Sequence, residues 1–380
     1  MTTISPVDRG TVDVPAIHRR AIIVDGHCDT PYRLKRARLG IADRDHAAQV
    51  DLDTLQSSGI TASFFAAYVP PYYAGRGAHA YANALIDVIE KAAAAHPDQL
   101  LLGRTSDDIR RAKQRAMVAL MIGVEGGHAI EDSLETLSAL YGRGARYMTL
   151  THVNTNNWAD SSGDGPRHGG LTRFGREVVA AMNDLGMIVD ISHVADTTYY
   201  HVLETSRVTP IASHSSSRAL ANHPRNMSDA MLRDLATVGG VCMVNFFSAF
   251  IDPDAARIVV ASKDLGKPPM PGPNEELPDD TRSWDDYCRW FATLRCPRGT
   301  IDTIVDHIAH IAAVAGVETV GIGSDFDGVP LLPSGVEDAA ALPRLTGRML
   351  ERGFHENEVE KILGGNFMRV FEQVEAAARR

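Results

Sequence analysis

One rhythm constrains this chain more than any other feature. Eight short apolar or β-branched runs recur along it, at 21–25 (AIIVD), 61–69, 118–125, 146–152, 187–193, 209–214, 240–246 and 319–325. Longer stretches with helical periodicity separate them, among them 82–96, 133–144, 176–186, 228–239 and 303–316. Several of these end in Gly, the residue favoured at helix C-termini. Alternation of this kind, sustained from residue 21 to residue 325, predicts an α/β protein: a closed (β/α)8 TIM barrel of parallel strands. The rival is a doubly wound open sheet, which wants a Gly-rich phosphate turn after its first strand. DGHCDTP stands there instead, and GVEGGH (123–128) is not a GxGxxG fingerprint.

The 380 residues show no linker, repeat or low-complexity tract. The expectation is therefore one barrel catalytic domain over 1–380, with residues 1–20 and the C-terminal helices packed around it. Two connections are long, 153–169 after the fourth run and 251–299 after the seventh. Connections of that length in a compact domain serve as lids or binding walls.

Where the polar residues fall points to chemistry. The first run leads into His27-Cys28-Asp29. The third ends in Glu125, the fourth in His152, the fifth in His193, the sixth in His214 and the eighth in Asp325. Barrel enzymes carry their chemistry at the C-terminal strand ends, where all of these lie. His27 and Asp29 are two apart, so an extended strand points both to one face and Cys28 to the other. Three His with two carboxylates suit Zn²⁺ or a similar borderline cation. A Glu carboxylate on a central strand can bridge two such ions. Each residue alone has an ordinary structural alternative: Glu125 as a cap partner, His193 and His214 as satisfied strand-end histidines. Their joint placement on one rim is what argues for a metal site. His46, His79, His96, His201, His307, His310 and His355 fall in helices or loops and are expected at the surface, while His128 and His168 stay unassigned. SHSSS (213–217) lacks the GxSxG pattern of a nucleophile elbow.

Charge and composition exclude other classes. Lys plus Arg is 38 against 48 for Asp plus Glu, a net charge of −10, so nucleic acid is not an expected partner. No apolar run is long enough to span a membrane, and no signal peptide or lipid-anchor signal is visible. The four Cys (28, 242, 288, 296) form no CxxC pair, which fits a reducing compartment. A soluble cytoplasmic protein is expected.

At this point several stretches coincide with a known family. IVDGHCDTPYRL (23–34), GVEGGHAIEDSLETLSALYGRGARYMTLTHVNTNNWADS (123–161), DISHV (190–194), IASHSSSRALANHPRNMSD (211–229), GGVCMVNF (239–246), GIGSDFDGVP (321–330) and GGNFMRVF (364–371) together resemble the membrane (renal) dipeptidases, peptidase family M19. These are zinc dipeptidases of the amidohydrolase-like barrel group. The resemblance implies two Zn²⁺ per chain. His27 and Asp29 would bind one, His193 and His214 the other, and Glu125 would bridge both. It further implies that His152 stabilises the tetrahedral oxygen, Arg225 holds the substrate's terminal carboxylate and Asp325 handles the proton. On the residues alone, Arg225 is open between that clamp and a salt bridge fastening its loop. Tyr68, ending the second run, is open between lining the pocket and packing. The mammalian signal peptide, anchor tail and cysteines have no counterpart here, so the expectation is a soluble bacterial-type member, with a homodimer carried over only as a family arrangement.

The charge sum favours hydrolysis. Two Zn²⁺ give +4, Asp29 and Glu125 take 2 and a bridging hydroxide takes 1, leaving +1 to activate that hydroxide and polarise a carbonyl. The expected activity is hydrolysis of dipeptides. The alternatives are a related hydrolase of another small amide or lactone, such as an N-acyl amino acid, and a metal-bearing barrel without catalysis.

Overall fold

A computed structural model describes residues 13–263, 265–266, 268–269, 271–272 and 275–379. Residues 1–12, part of the N-terminal segment expected to pack on the barrel, lie outside the described residues. Nine strands are present among the described residues: β1 (Val24–Cys28), β2 (Ala62–Tyr68), β3 (Leu100–Leu102), β4 (Val118–Glu125), β5 (Ala145–Thr149), β6 (Ile188–Asp190), β7 (Ile211–Ser215), β8 (Val241–Val244) and β9 (Val320–Ile322). All pairings between them are parallel. They run in the order β2-β1-β9-β8-β7-β6-β5-β4, and a β2–β4 pairing closes the ring. That is the eight-stranded barrel the sequence predicts. The ninth strand, β3, was not expected. It pairs only with the first residues of β4, on the edge that β5 takes over further along.

The helices between strands begin and end where local chemistry dictates. Asp51 and Thr54 exchange bonds in a capping box that starts the helix Leu52–Ser58. Thr172 caps Arg173–Leu185, and Gly186 ends it in the left-handed region at φ 77°. The outer faces of the strands pack on these helices in one large apolar layer. Inside the ring a second cluster forms from Val24, Phe64, Met121, Tyr147, Ile188, Ile211 and Met243. Phe367 and Phe371, on the helix Asn366–Ala377, belong to the same cluster and close the ring at the start of its strands. Burying one such ring contributes roughly 1.5–3 kcal/mol. At Gly123 a Cβ would stand 2.2 Å from the Tyr147 ring, so only Gly fits.

Strand alternation and two irregularities aim the polar residues. On β4, Ala119 and Met121 face inward, and unbroken alternation brings Glu125 to the same side. On β1, Asp25 pairs with Ser63 but Cys28 with Phe65, so three steps oppose two. That bulge puts Cys28 in the outer layer and turns His27 inward. β7 repeats the device. Ala212 pairs with Cys242 and Ser215 with Val244, and the extra residue turns His214 inward.

The two long connections are built segments. In 153–169, Asp160 accepts the backbone N–H groups of Arg167 and His168, each at 3.0 Å, and Trp158 is buried. The stretch 251–299, expected as a loop, carries the helices Pro253–Ser262 and Asp280–Thr293. His307, expected at the surface, is fully buried. No helix among the described residues is long and apolar enough to cross a membrane.

Candidate metal centre

The C-terminal end of the barrel gathers the polar residues around one carboxylate. Glu125 Oε1 lies 3.0 Å from His193 Nε2, 3.3 Å from His214 Nε2, 3.6 Å from His27 Nε2 and 3.9 Å from His152 Nε2. His193 and His214 also bring their Nε2 atoms within 2.9 Å of each other. Asp29 Oδ2 and Asp325 Oδ1 stand 3.5 and 4.0 Å from His27 Nε2. Three overlapping donor groups result: His27, Glu125 and His214; Glu125, His152 and His193; and His27, Asp29 and Asp325. Every residue expected at a strand end arrives at this one place.

The donor atoms fit a cation pair. His27 Nδ1 meets the Tyr147 hydroxyl at 2.7 Å, while its Nε2 and Asp29 Oδ1 have no hydrogen-bond partner among the described residues. Buried polar atoms are rarely left so, and a cation held between them would satisfy both. Burial pushes the His193 and His214 imidazoles well below their usual range, and neighbouring positive charge adds to the effect. Both rings are therefore neutral, the form that binds a metal. Burial pushes Asp29 up to about 6, helped by the charge of Glu125, and pushes Asp325 up to about 6 as well. Carboxylates held so close to one another relieve that cost by taking up cations.

Two of these residues bend the backbone into the left-handed region, His193 at φ 69° and Asp325 at φ 65°. Such conformations cost about 1–3 kcal/mol and cluster at functional sites. Asp325 is further held by Asn245, whose Nδ2 donates to Oδ2 at 2.7 Å. The Asn245 amide is itself fixed, because its oxygen accepts the Phe247 N–H at 2.6 Å. Asn245 stands just past β8, the strand for which no functional residue was expected. Its position at the end of the seventh run was the available signal.

Arg225 is buried beside this centre. Its guanidinium donates to the His214 carbonyl (3.1 Å) and the Ser215 hydroxyl (3.4 Å) and lies over the Phe250 ring. Among the described residues no carboxylate comes within salt-bridge distance, and Nε has no partner, so the fastening salt bridge is not found. Burial lowers its pKa to about 10, which leaves it charged at neutral pH. Tyr68 pairs in register with Glu125, and its ring packs edge-on against His152 at 4.8 Å. His128 is buried just after Glu125, and His168 bonds the Asn156 carbonyl at 2.9 Å to hold the 153–169 connection.

A cavity of about 730 Å³ opens above the centre. Asp29, Glu125, His152, His193 and Asp325 form its floor. Its walls are aromatic, with Tyr32, Tyr68, Tyr72, Phe247, Phe250, Trp284 and Tyr287. Trp284 and Tyr287 come from the helix Asp280–Thr293, so the 251–299 connection supplies one wall. That volume accommodates a small molecule, and two amino-acid residues fall within it.

The sequence and the fold of this chain resemble those of known proteins. A profile of the membrane dipeptidase family (peptidase family M19) matches residues 12–380. Dipeptidase verJ of Clonostachys rogersoniana is 33% identical over 374 residues, covering 94% of this chain and 85% of that protein. Dipeptidase 3 of Mus musculus is 33% identical over 370 residues, covering 95% of this chain and 66% of the mouse protein. Among solved structures, the probable dipeptidase PvdM from Pseudomonas aeruginosa superposes with a TM-score of 0.83 at 24% identity, over 96% of this chain and 98% of that one. A metallo peptidase from Rhodobacter sphaeroides, liganded with a phosphinate mimic of the dipeptide L-Ala-D-Ala, superposes at 0.76 and 22% identity, over 93% and 99%. The chain belongs to the membrane dipeptidase family, peptidase family M19.

Proposed function

We propose that this chain is a binuclear zinc dipeptidase acting as one catalytic unit. The observation that carries it is the convergence of three imidazoles on Glu125 Oε1, at 3.0, 3.3 and 3.6 Å, with Asp29 beside them. His27 and Asp29 would hold one ion, His193 and His214 the other, and Glu125 would serve both. A bound zinc pair supplies Lewis acidity toward a carbonyl and acidifies water.

The chain's own groups do the rest. Arg225 is a buried cation without a carboxylate partner among the described residues, and its planar fork suits the free carboxylate of a dipeptide. That anchor limits substrate length. His152, on the cavity floor, donates to the oxygen that gains charge as the amide carbon becomes tetrahedral. Asp325 Oδ1 faces the same space while Asn245 holds Oδ2, so Oδ1 accepts the proton of the attacking water and returns it to the departing amine. Tyr68 flanks the substrate and supports the His152 ring. The four cysteines are unpaired, which supports a cytoplasmic setting.

The test is metal analysis of the purified protein together with a substrate panel. About two zinc per chain and cleavage of dipeptides are expected. Cleavage of N-acyl amino acids or lactones with no dipeptide turned over would replace the substrate class. Absence of zinc uptake would remove the metal centre.

A further inference from the structure

Asp190, the last residue of β6, is fully buried, and no Lys, Arg or His among the described residues pairs with it. Its carboxylate is satisfied by neutral donors. Oδ1 accepts the backbone N–H of Ser192 at 3.0 Å and of Ser213 at 2.9 Å. Oδ2 accepts the hydroxyl of Ser213 at 2.6 Å and that of Thr149. A serine has one hydroxyl proton, and Ser213 commits it to Asp190. Ser192 Oγ, at 3.4 Å, is the weaker competitor for it.

This arrangement has a consequence for the next residue. Ser213 Oγ lies 2.8 Å from His214 Nδ1. With its proton already given away, the serine oxygen can only accept there. The proton of the neutral His214 imidazole is therefore on Nδ1. The lone pair of Nε2 is left facing Glu125 at 3.3 Å and His193 at 2.9 Å.

We propose that Asp190, acting through Ser213, is a positioning residue that fixes the His214 tautomer so that Nε2 is free to bind a cation. The inference rests on the metal-centre reading above. Replacing the carboxylate by an amide reverses the chain of donors. An amide N–H directed at Ser213 Oγ turns the serine proton toward His214 Nδ1, which moves the imidazole proton to Nε2 and blocks it. Carboxylates behind metal-binding histidines typically change affinity 10–100-fold when altered.

The zinc-loaded full chain is titrated with a competing chelator of known affinity, and zinc release is followed for each equivalent. Asp190→Asn is expected to weaken one equivalent 10–100-fold and leave the other within about threefold. Ser213→Ala removes the acceptor for Nδ1–H and weakens the same equivalent. Thr149→Val deletes a different donor to the same Asp190 oxygen and leaves both equivalents unchanged, which separates the relay from the stapling of β5 to β6. Unchanged release in Asp190→Asn and Ser213→Ala overturns the inference, as does an equal effect of Thr149→Val. Should Asp190→Asn fail to fold, the Ser213→Ala and Thr149→Val pair decides on the same criteria. A wild-type chain that holds no zinc overturns the metal-centre reading and this inference with it.

Discussion

A carboxylate at such a centre can hold a metal or move a proton, and Asp325 is placed within reach of both roles. Its Oδ2 is occupied by Asn245 at 2.7 Å, and its Oδ1 stands 4.0 Å from His27 Nε2. Glu125 and Asp29 come closer to that imidazole, at 3.6 and 3.5 Å, and the proposed mechanism therefore gives the proton to Asp325. Asp325→Asn separates the two roles cleanly. Asn tolerates the left-handed backbone that this position needs, so the loop keeps its shape. We expect the variant to retain its zinc and to lose roughly 10²–10⁴-fold in kcat. Zinc content and turnover are measured on the same preparation. Zinc lost in step with activity would make Asp325 a ligand.

The elements show which parts of this site were legible. Glu125 and Tyr68 sit on strands whose alternation runs unbroken, so counting by twos places both inward. His27 and His214 do not follow that count. Each is turned inward by a bulge that depends on pairing with a neighbouring strand, and no local pattern encodes it. β3 escaped notice because three leucines after a turn carry no period. The helix Asp280–Thr293 escaped for the opposite reason: its aromatic residues at 284, 287, 290 and 291 have helical spacing, hidden in a connection read as a loop. This helix is pinned at its start. Asp280 accepts from Lys35 Nζ at 2.6 Å and from the Tyr81 hydroxyl at 2.8 Å, and its carbonyl accepts from Tyr32 at 3.1 Å. Asp280→Ala releases the end from which Trp284 and Tyr287 reach the cavity. The expected outcome is a several-fold rise in KM for a dipeptide, with kcat and zinc content nearly unchanged and stability lower by about 2 kcal/mol. A fall in kcat at constant KM would place the helix in the chemistry rather than in the wall.

At the scale of the whole molecule, the barrel gathers groups that are far apart in sequence, and this makes the fold sensitive to acid. The connection after β7 carries Arg225, and two buried neutral imidazoles hold it in place. His307 Nδ1 accepts the Ser217 N–H at 3.0 Å while its Nε2–H donates to the Ile251 carbonyl at 3.0 Å. His223 Nδ1 accepts the Arg225 N–H at 3.1 Å. Burial pushes His307 down to about 4 and His223 down to about 3, in the latter case with the positive charge of Arg225 adding to the effect. In the unfolded chain both protonate near 6.5. The unfolded state therefore takes up protons first as pH falls, and it is the one stabilised. The contribution of these imidazoles is fully present above about 6.5 and is lost as pH drops through 4 and 3. For His307, the loss between pH 7 and pH 5 comes to about 2 kcal/mol. Urea unfolding of the zinc-loaded chain at the two pH values, beside His307→Gln in the same buffers, reads this directly. The variant keeps a donor and an acceptor but cannot protonate, so its stability should fall by about 2 kcal/mol less than that of the wild type. Equal falls in the two proteins would mean that His307 gains its proton in the folded chain as easily as in the unfolded one, and that the latch on the Arg225 connection does not depend on a neutral ring.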